Sequence, residues 1–514
     1  MLFPCQTSLL CYTAARRPDE RCAAVFPNSP FEIHPLRAPF FRRPTEWAGG
    51  ALAVGALLAS YTTSSVPVSL ALLGVMVAGL SARPLFGLSL LAASLPFYLH
   101  SKPIGSMSFS PPELILLSTL AAVAANSLRE APPKQLRRLR LPRRASVVGT
   151  PLDGPVTLFL AAALLSLLAS EVMRVSLREL RTVVLEPVIG YYLGVRLLRS
   201  SEERAEVVVS LLLGGTLVAL YGIYQYLFTD QVTTVEGVRR IQATYLSPNN
   251  LALYLGRLLP MVFALALFVP AAPPAGAGQH APWLSGMPAA IGRRAPWGVA
   301  MVLAAAILLT FSVGSWMAAI LSLLTVAFLW KPRAGLYLLG ACAAGIAAGV
   351  PLLSLERVSS HLSLSRGTSF IRVHLWQSAV QMVMDHPLLG VGMDNFLYLY
   401  RTTYLRPEAA AEPNLSHPHN LLLGFWLEMG LAGVVAAGWL GATLLRLWRR
   451  CWRAAGNGLP RGLLAGLAGS WVDLVAHGMV DSSYFLVDLA FHFWLSAALL
   501  VAIDRELSQS RRIG

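Results

Sequence analysis

The sequence predicts an all-α polytopic membrane protein, and three observations carry that prediction. Of its 514 residues 55% are hydrophobic and only 13% charged, with a mean hydropathy of +0.58, all far from a soluble globular average. Long apolar runs recur with brief polar interruptions, and about 14 of them approach the ~17 to 25 residues that cross a bilayer. The basic residues, finally, sort onto alternate loops.

Taken in order, the runs lie near 47–62, 65–81, 84–99, 111–127, 155–170, 182–197, 205–228, 248–269, 297–312, 315–330, 334–351, 418–444, 462–480 and 484–503. They give about 12–14 transmembrane helices. The organisation that follows is a loose cytoplasmic leader over 1–46, eleven helices within 47–351, an extracytoplasmic loop over 352–417, three helices within 418–503 and a cytoplasmic tail over 504–514. Cytoplasmic loops 128–154, rich in Arg and Pro, and 270–296, rich in Ala, Pro and Gly, interrupt the first set. The leader lacks the basic, apolar and small-residue series of a signal peptide.

The net charge is +15 and the pI about 10, a balance that elsewhere points to nucleic acid. Position decides otherwise. With the N-terminus cytoplasmic, the inside loops hold about 29 of the 41 Lys and Arg, including Arg137, Arg138, Arg140, Arg143, Arg144, Lys331, Arg333, Arg446, Arg449, Arg450 and Arg453. Both termini then face the cytoplasm, and the excess charge is an insertion signal with no nucleic-acid partner. Cys5, Cys11, Cys22 and Cys451 fall on the reducing side and Cys342 inside a span, so no pair is placed for a disulfide.

A connection as long as 352–417 between packed helices is usually functional or disordered, and its sequence is not that of a disordered segment. In TSFIRVHLWQSAVQMVMD (368–385), Ile371, Leu375, Ala379 and Met382 recur at helical spacing, with Phe370, Trp376, Val380 and Val383 widening the stripe. This predicts an interfacial helix on the outer membrane surface, with Arg372 and Trp376 on one face, four residues apart, at the headgroup level. Pro387 then ends it, and Gly390 and Gly392 permit a tight return.

Three polar clusters fall on the same outer side. In SHPHN (416–420), Pro418 suits a first helical turn and places His419 and Asn420 in the positive end of a helix dipole. That field disfavours the imidazolium and leaves His419 able to accept a proton as a general base. The plainer reading is that His417 and His419 only line the interface. In VRRIQATYLSPNNLALYLGRLLP (238–260), Arg239 and Arg240 precede a span that Pro248 and Asn249 open, and Arg257 lies roughly 13 Å deeper at helical rise. An arginine at that depth either meets an anionic ligand or pairs with Glu428, Asp473 or Asp488. Arg372 completes an outward set of guanidinium forks that match phosphate oxygens. Further on, Asp473, His477 and Asp481 follow at i, i+4 and i+8 as a proton relay or, the favoured reading, a hydrogen-bonded strut. Two histidines in an H-P-H turn with no carboxylate pair nearby do not make a metal site in sequence, and none is expected.

These motifs together resemble a known family. R-x3-W in IRVHLW, P-x2-G-x-G in HPLLGVG, H-N at the head of a span and E-x-G-x2-G in EMGLAG are similar, in content and order, to the O-antigen ligase and polymerase family of bacterial membrane glycosyltransferases. The likeness runs from about 205 to 500 and is dense between 366 and 433. It implies a GT-C-type fold in the bacterial inner membrane, with an extracytoplasmic active site. It also implies a glycan donor carried on undecaprenyl pyrophosphate, a lipid or glycan acceptor, and metal-independent transfer without a cofactor. Arg240 and Arg372 match the positions of the family's pyrophosphate-binding arginines, and His419 that of its essential histidine. Arg239 and Arg257 are further candidates for binding the pyrophosphate, and Asn249, Asn420, Trp376, His417, Glu428, His477 and Asp481 are the supporting candidates. Alternatives are a polymerase with the same donor chemistry, or a lipid-oligosaccharide flippase or other transporter, whose binding groups belong near the bilayer midplane.

Overall fold

Each apolar run lies on a helix of the computed structural model, which describes residues 43–130, 149–235, 237–269, 289–349 and 367–513. Residues 1–42 of the leader with Cys5, Cys11 and Cys22, the arginines between 137 and 144, most of loop 270–296 and residues 352–366 of the long loop lie outside the described residues. The helices are α1 (Pro44–Thr62), α2 (Val66–Ser81), α3 (Pro84–Ser94), α4 (Pro111–Glu130), α5 (Asp153–Ser166), α6 (Met173–Glu179), α7 (Glu186–Leu197), α8 (Ser201–Phe228) and α9 (Pro248–Phe268). They continue as α10 (Ala289–Leu309), α11 (Val313–Trp330), α12 (Pro332–Gly349), α13 (Gly367–Asp385), α14 (Phe396–Leu399), α15 (Leu421–Ala454), α16 (Leu459–Gly478) and α17 (Val487–Ile513). Two short antiparallel hairpins, β1 (Lys102–Ile104) with β2 (Met107–Phe109) and β3 (Thr233–Val235) with β4 (Val238–Arg240), are the described strands.

The chain is an integral membrane protein. Six described helices are long and apolar enough to cross a bilayer: α4, α8, α9, α11, α15 and the Val487–Gln509 part of α17. A seventh crossing arises if α2 and the segment Pro84–Phe97, which meet at 119°, act as one broken span. The remaining runs form helices that are shorter, as in α5, or diluted by Ala and Gly, as in α12. On α8, the side chains of Leu213, Leu217, Leu220, Tyr224 and Leu227 stand exposed at alternating steps of three and four residues, an apolar stripe suited to lipid.

The inner core is closed by small residues where helices approach. α9 and α16 lie so close that a Cβ on Gly466 would sit 2.9 Å from the Met261 Cα, and one on Gly469 2.6 Å from the Pro260 Cβ. Arg257 on α9 is fully buried in this contact. Its guanidinium donates to the Leu489 carbonyl at 2.9 Å and to the Ser483 carbonyl, so it clasps the turn between α16 and α17. Those backbone oxygens, not a carboxylate, are its hydrogen-bond partners, which answers the cost of placing it at that depth.

Candidate active site

The predicted helix is present as α13, and the inner side of its apolar stripe packs on protein. Leu375, Ala379 and Met382 are buried against Val391, Phe396, Leu399, Tyr400 and Leu427, so α13 and the chain after it form a small core of their own over the start of α15. The stripe needed an apolar partner, and the loop itself supplies one.

The return after α13 is built by glycines and by a break in α15. Gly390 and Gly392 have φ of 71° and 91°, and Gly430 inside α15 has φ 65° and ψ −168°. A Cβ on Gly430 would lie 2.0 Å from the Leu388 carbonyl oxygen, so only glycine fits that kink. The kink frees the Leu427 carbonyl to accept from the Val391 N–H at 2.8 Å, while the Pro387 carbonyl accepts from the Leu431 N–H at 3.2 Å and the Trp426 indole at 2.9 Å. Glu428, offered by the sequence as a supporting residue and as a partner for Arg257, is buried and accepts the Asp394 N–H at 2.5 Å. Asn395 is also buried: it accepts from the Val172 N–H at 2.8 Å and donates to the Ser176 hydroxyl at 2.5 Å and the Met393 carbonyl at 2.7 Å. Sequence reading passed over Asn395, because nothing local marks a contact with residues more than 200 positions away.

α13 thereby sets Arg372 and Trp376 over the histidine segment. The Trp376 indole donates to the His419 carbonyl at 3.4 Å, and an Arg372 nitrogen lies 3.9 Å from Asp481 Oδ2. The shared face expected from their spacing exists, and it contacts the H-P-H turn and Asp481. α15 begins at Leu421, later than expected, with Asn420 as its N-cap and Pro418 outside the helix. Asn420 Oδ1 accepts the Leu422 and Leu423 N–H groups at 3.0 and 3.1 Å, and its amide donates to the Met479 carbonyl at 3.1 Å. Both ends of that side chain are thus committed to backbone, which leaves the imidazole to another partner.

That partner is Asp481. α16 ends at Gly478, so Asp481 leaves the helical stripe with Asp473 and His477 and turns toward His419. His419 Nδ1 lies 2.7 Å from Asp481 Oδ1, and His417 Nε2 lies 3.5 Å from the same oxygen with the two imidazoles 4.3 Å apart. His477 stays buried one turn earlier and takes no part in this contact. Burial opposes the Asp481 carboxylate, yet His419 and His417 together hold its pKa well below the usual range. Burial also lowers the His419 pKa, with His417 and Arg372 adding to it against the pull of Asp481. The neutral imidazole expected from the sequence is therefore favoured, with burial rather than a helix dipole as the main cause. With Nδ1–H given to Asp481, Nε2 keeps its lone pair.

Arg240, at the end of β4, lies within electrostatic reach of Arg372. It donates to the Thr310 carbonyl at 2.7 Å and to Asn249 Oδ1 at 2.9 Å, and burial followed by the nearby Arg372 charge lowers its pKa. Arg239, next along the strand, points the other way. It bonds the Thr229 carbonyl at 2.7 Å, lies 3.9 Å from Asp230 and sits over the Tyr226 ring. Of the predicted residues the fold therefore gathers Arg372, Trp376, His417, His419, Asn420 and Asp481, with Arg240 and its partner Asn249 linked to them through the charge interaction of Arg240 with Arg372. Arg239, Arg257, Glu428 and His477 lie outside the group.

Residues 298–438 match the family model described as O-Antigen ligase. Over that segment the chain is similar to the O-antigen ligase family. The matched segment contains α13, the glycine return, the H-P-H turn and the kink, while Arg240 and Asp481 lie before and after it in the chain. The match supports a glycosyltransferase of the O-antigen ligase or polymerase type, a family whose substrates are a lipid-linked glycan and an acceptor. No curated protein matches the chain.

The same group offers a metal-ligand set. One atom each of His417, His419 and Asp481 lie within 4.8 Å of one another, two imidazoles and a carboxylate of the kind that suits zinc. The carboxylate was not apparent in sequence because it arrives from a different turn.

Proposed function

We propose that this protein transfers a glycan from undecaprenyl pyrophosphate to an acceptor hydroxyl on the extracytoplasmic face of a bacterial inner membrane. The observation that carries the reading is the Asp481–His419 pair set beside Arg372, with Arg240 within its electrostatic reach. His419 Nε2 takes the acceptor hydroxyl proton as the acceptor oxygen attacks the anomeric carbon. The bond from that carbon to the phosphate oxygen breaks, and the configuration at carbon inverts. Undecaprenyl pyrophosphate leaves with the bonding electrons, and the imidazolium returns its proton to water. Arg240 and Arg372 meet the charge developing on the leaving group, where preorganised donors act most strongly. Asp481 orients the imidazole and supports its charged form.

Should a metal bind His417, His419 and Asp481, it would supply Lewis-acid chemistry at the same place and remove His419 as a free base. The paired His419 and Asp481 favour the base reading, because their 2.7 Å contact already uses one donor atom from each.

The test uses purified protein, an undecaprenyl-pyrophosphate glycan and candidate acceptors. Glycan leaves the lipid in the wild type, and His419→Ala loses about 10²- to 10⁴-fold in rate. Full turnover in that variant removes the base assignment. Product length separates a ligase, which adds one finished chain, from a polymerase, which extends it.

A further inference from the structure

At the far end of α15 from His419, roughly 40 Å along the helix axis, a second basic site is built. A cavity of about 550 Å³ is lined by Arg446, Arg449, Arg450, Arg453 and Arg511. The first four recur at i, i+3, i+4 and i+7 and so share one face of α15, while Arg511 comes from α17. Arginines in a last helical turn are expected from the helix dipole, but that effect fades within a turn and gives no reason for a second helix to add another.

Some of these groups are already fixed. Arg450 forks onto Asp504 at 2.8 and 2.5 Å, and Arg446 is held by the Ala442 carbonyl and the Thr443 hydroxyl at 3.2 and 3.1 Å. Among the described residues Asp504 is the carboxylate that pairs with this set, so most of the positive charge around the cavity is left unanswered. Like charges gathered in one concave place repel unless an anion joins them.

The setting indicates which anion. Trp448 and Trp452 stack on the neighbouring face of α15 with centroids 5.3 Å apart, and Arg461 lies over the Trp452 ring at 5.3 Å. Trp at the end of a spanning helix marks the level of lipid headgroups, and basic cavities between helices at that level hold phosphate headgroups. We propose that the cavity between α15 and α17 binds the phosphate headgroup of an anionic phospholipid. The site is separate from the His419 group, and its existence does not depend on the glycosyl-transfer reading.

The probe is the full-length protein in phosphatidylcholine nanodiscs doped with phosphatidylglycerol or cardiolipin, with co-purifying lipid measured by mass spectrometry. The wild type enriches the anionic lipid on the order of tenfold over the doped ratio. The variant Arg449→Gln/Arg453→Gln/Arg511→Gln loses most of that enrichment at an unchanged melting temperature, and Arg239→Gln, a basic residue elsewhere, keeps it. Equal enrichment in wild type and triple variant overturns the proposal. So does displacement of the lipid by stoichiometric soluble pyrophosphate, which would assign the site to a free anion. If the triple variant melts early, Arg449→Gln and Arg511→Gln are read singly, and unchanged enrichment in both has the same overturning force.

Discussion

His419 Nδ1 meets Asp481 Oδ1 at 2.7 Å, although the two residues are separated by the whole of α15 and α16. The pair fixes which imidazole nitrogen remains open and which charge lies behind it. Asp481→Asn keeps the shape but no longer selects the tautomer. Transfer should fall by at least about 10²-fold with donor KM nearly unchanged, a split that steady-state kinetics on the purified protein will show.

The pH profile tests the same pair. A base works only when deprotonated, and burial holds His419 below its ordinary value of 6.5. The acid limb of kcat should therefore lie below pH 6.5, with activity rising through it and flat above. Removing the Asp481 charge takes away the one neighbour that raises the imidazole pKa, so any residual activity of Asp481→Asn should have its limb displaced to still lower pH.

Arg240 and Arg239 are adjacent on one strand and face opposite ways, which makes them internal controls for each other. Arg240→Ala and Arg372→Ala should each cost on the order of 10²-fold in transfer, and the lysine variants should recover only part of it. Arg239→Ala should stay near wild type. Parallel rate assays on the same lipid-linked donor decide the matter, and equal losses at 239 and 240 would contradict the strand geometry.

Gly430 tests the support of the site. Its φ of 65° and the 2.0 Å approach to Leu388 leave no room for a methyl group. Gly430→Ala should lower thermal stability by about 1 to 3 kcal/mol and release the glycine return from α15, seen as faster proteolysis between 386 and 395. Activity should fall with it.

Zinc distinguishes a free base from a metal site. Chelator treatment should leave transfer unchanged, while added Zn²⁺ should inhibit by capturing His417, His419 and Asp481. His417→Ala should weaken that inhibition. Loss of activity on chelation, restored by Zn²⁺, would reverse the assignment.

Much of the fold was legible because lipid solvation imposes long apolar runs, and each run read from the sequence lies on a helix. The stripe on α13 was legible as a helix but not as to its partner, since periodicity gives a buried face and not what covers it. His419, Arg240 and Arg372 could be picked out by charge and by motif. Asp481 was found in sequence but given other companions, because α16 ends at Gly478, three residues before the helical stripe would have reached it. Arg257 and Glu428 carry the same signal as ligand-binding groups, a charge buried in apolar sequence, and only coordinates reveal that backbone atoms are their hydrogen-bond partners.

Asn420 staples the head of one helix to the tail of another, with His419 beside it on one strand of chain and Asp481 two residues past the stapled carbonyl on the other. The His419–Asp481 dyad is thereby indexed to peptide groups, which every sequence possesses. Side chains of the overlying cap can then diversify to suit new acceptors while the spacing of the dyad is inherited intact.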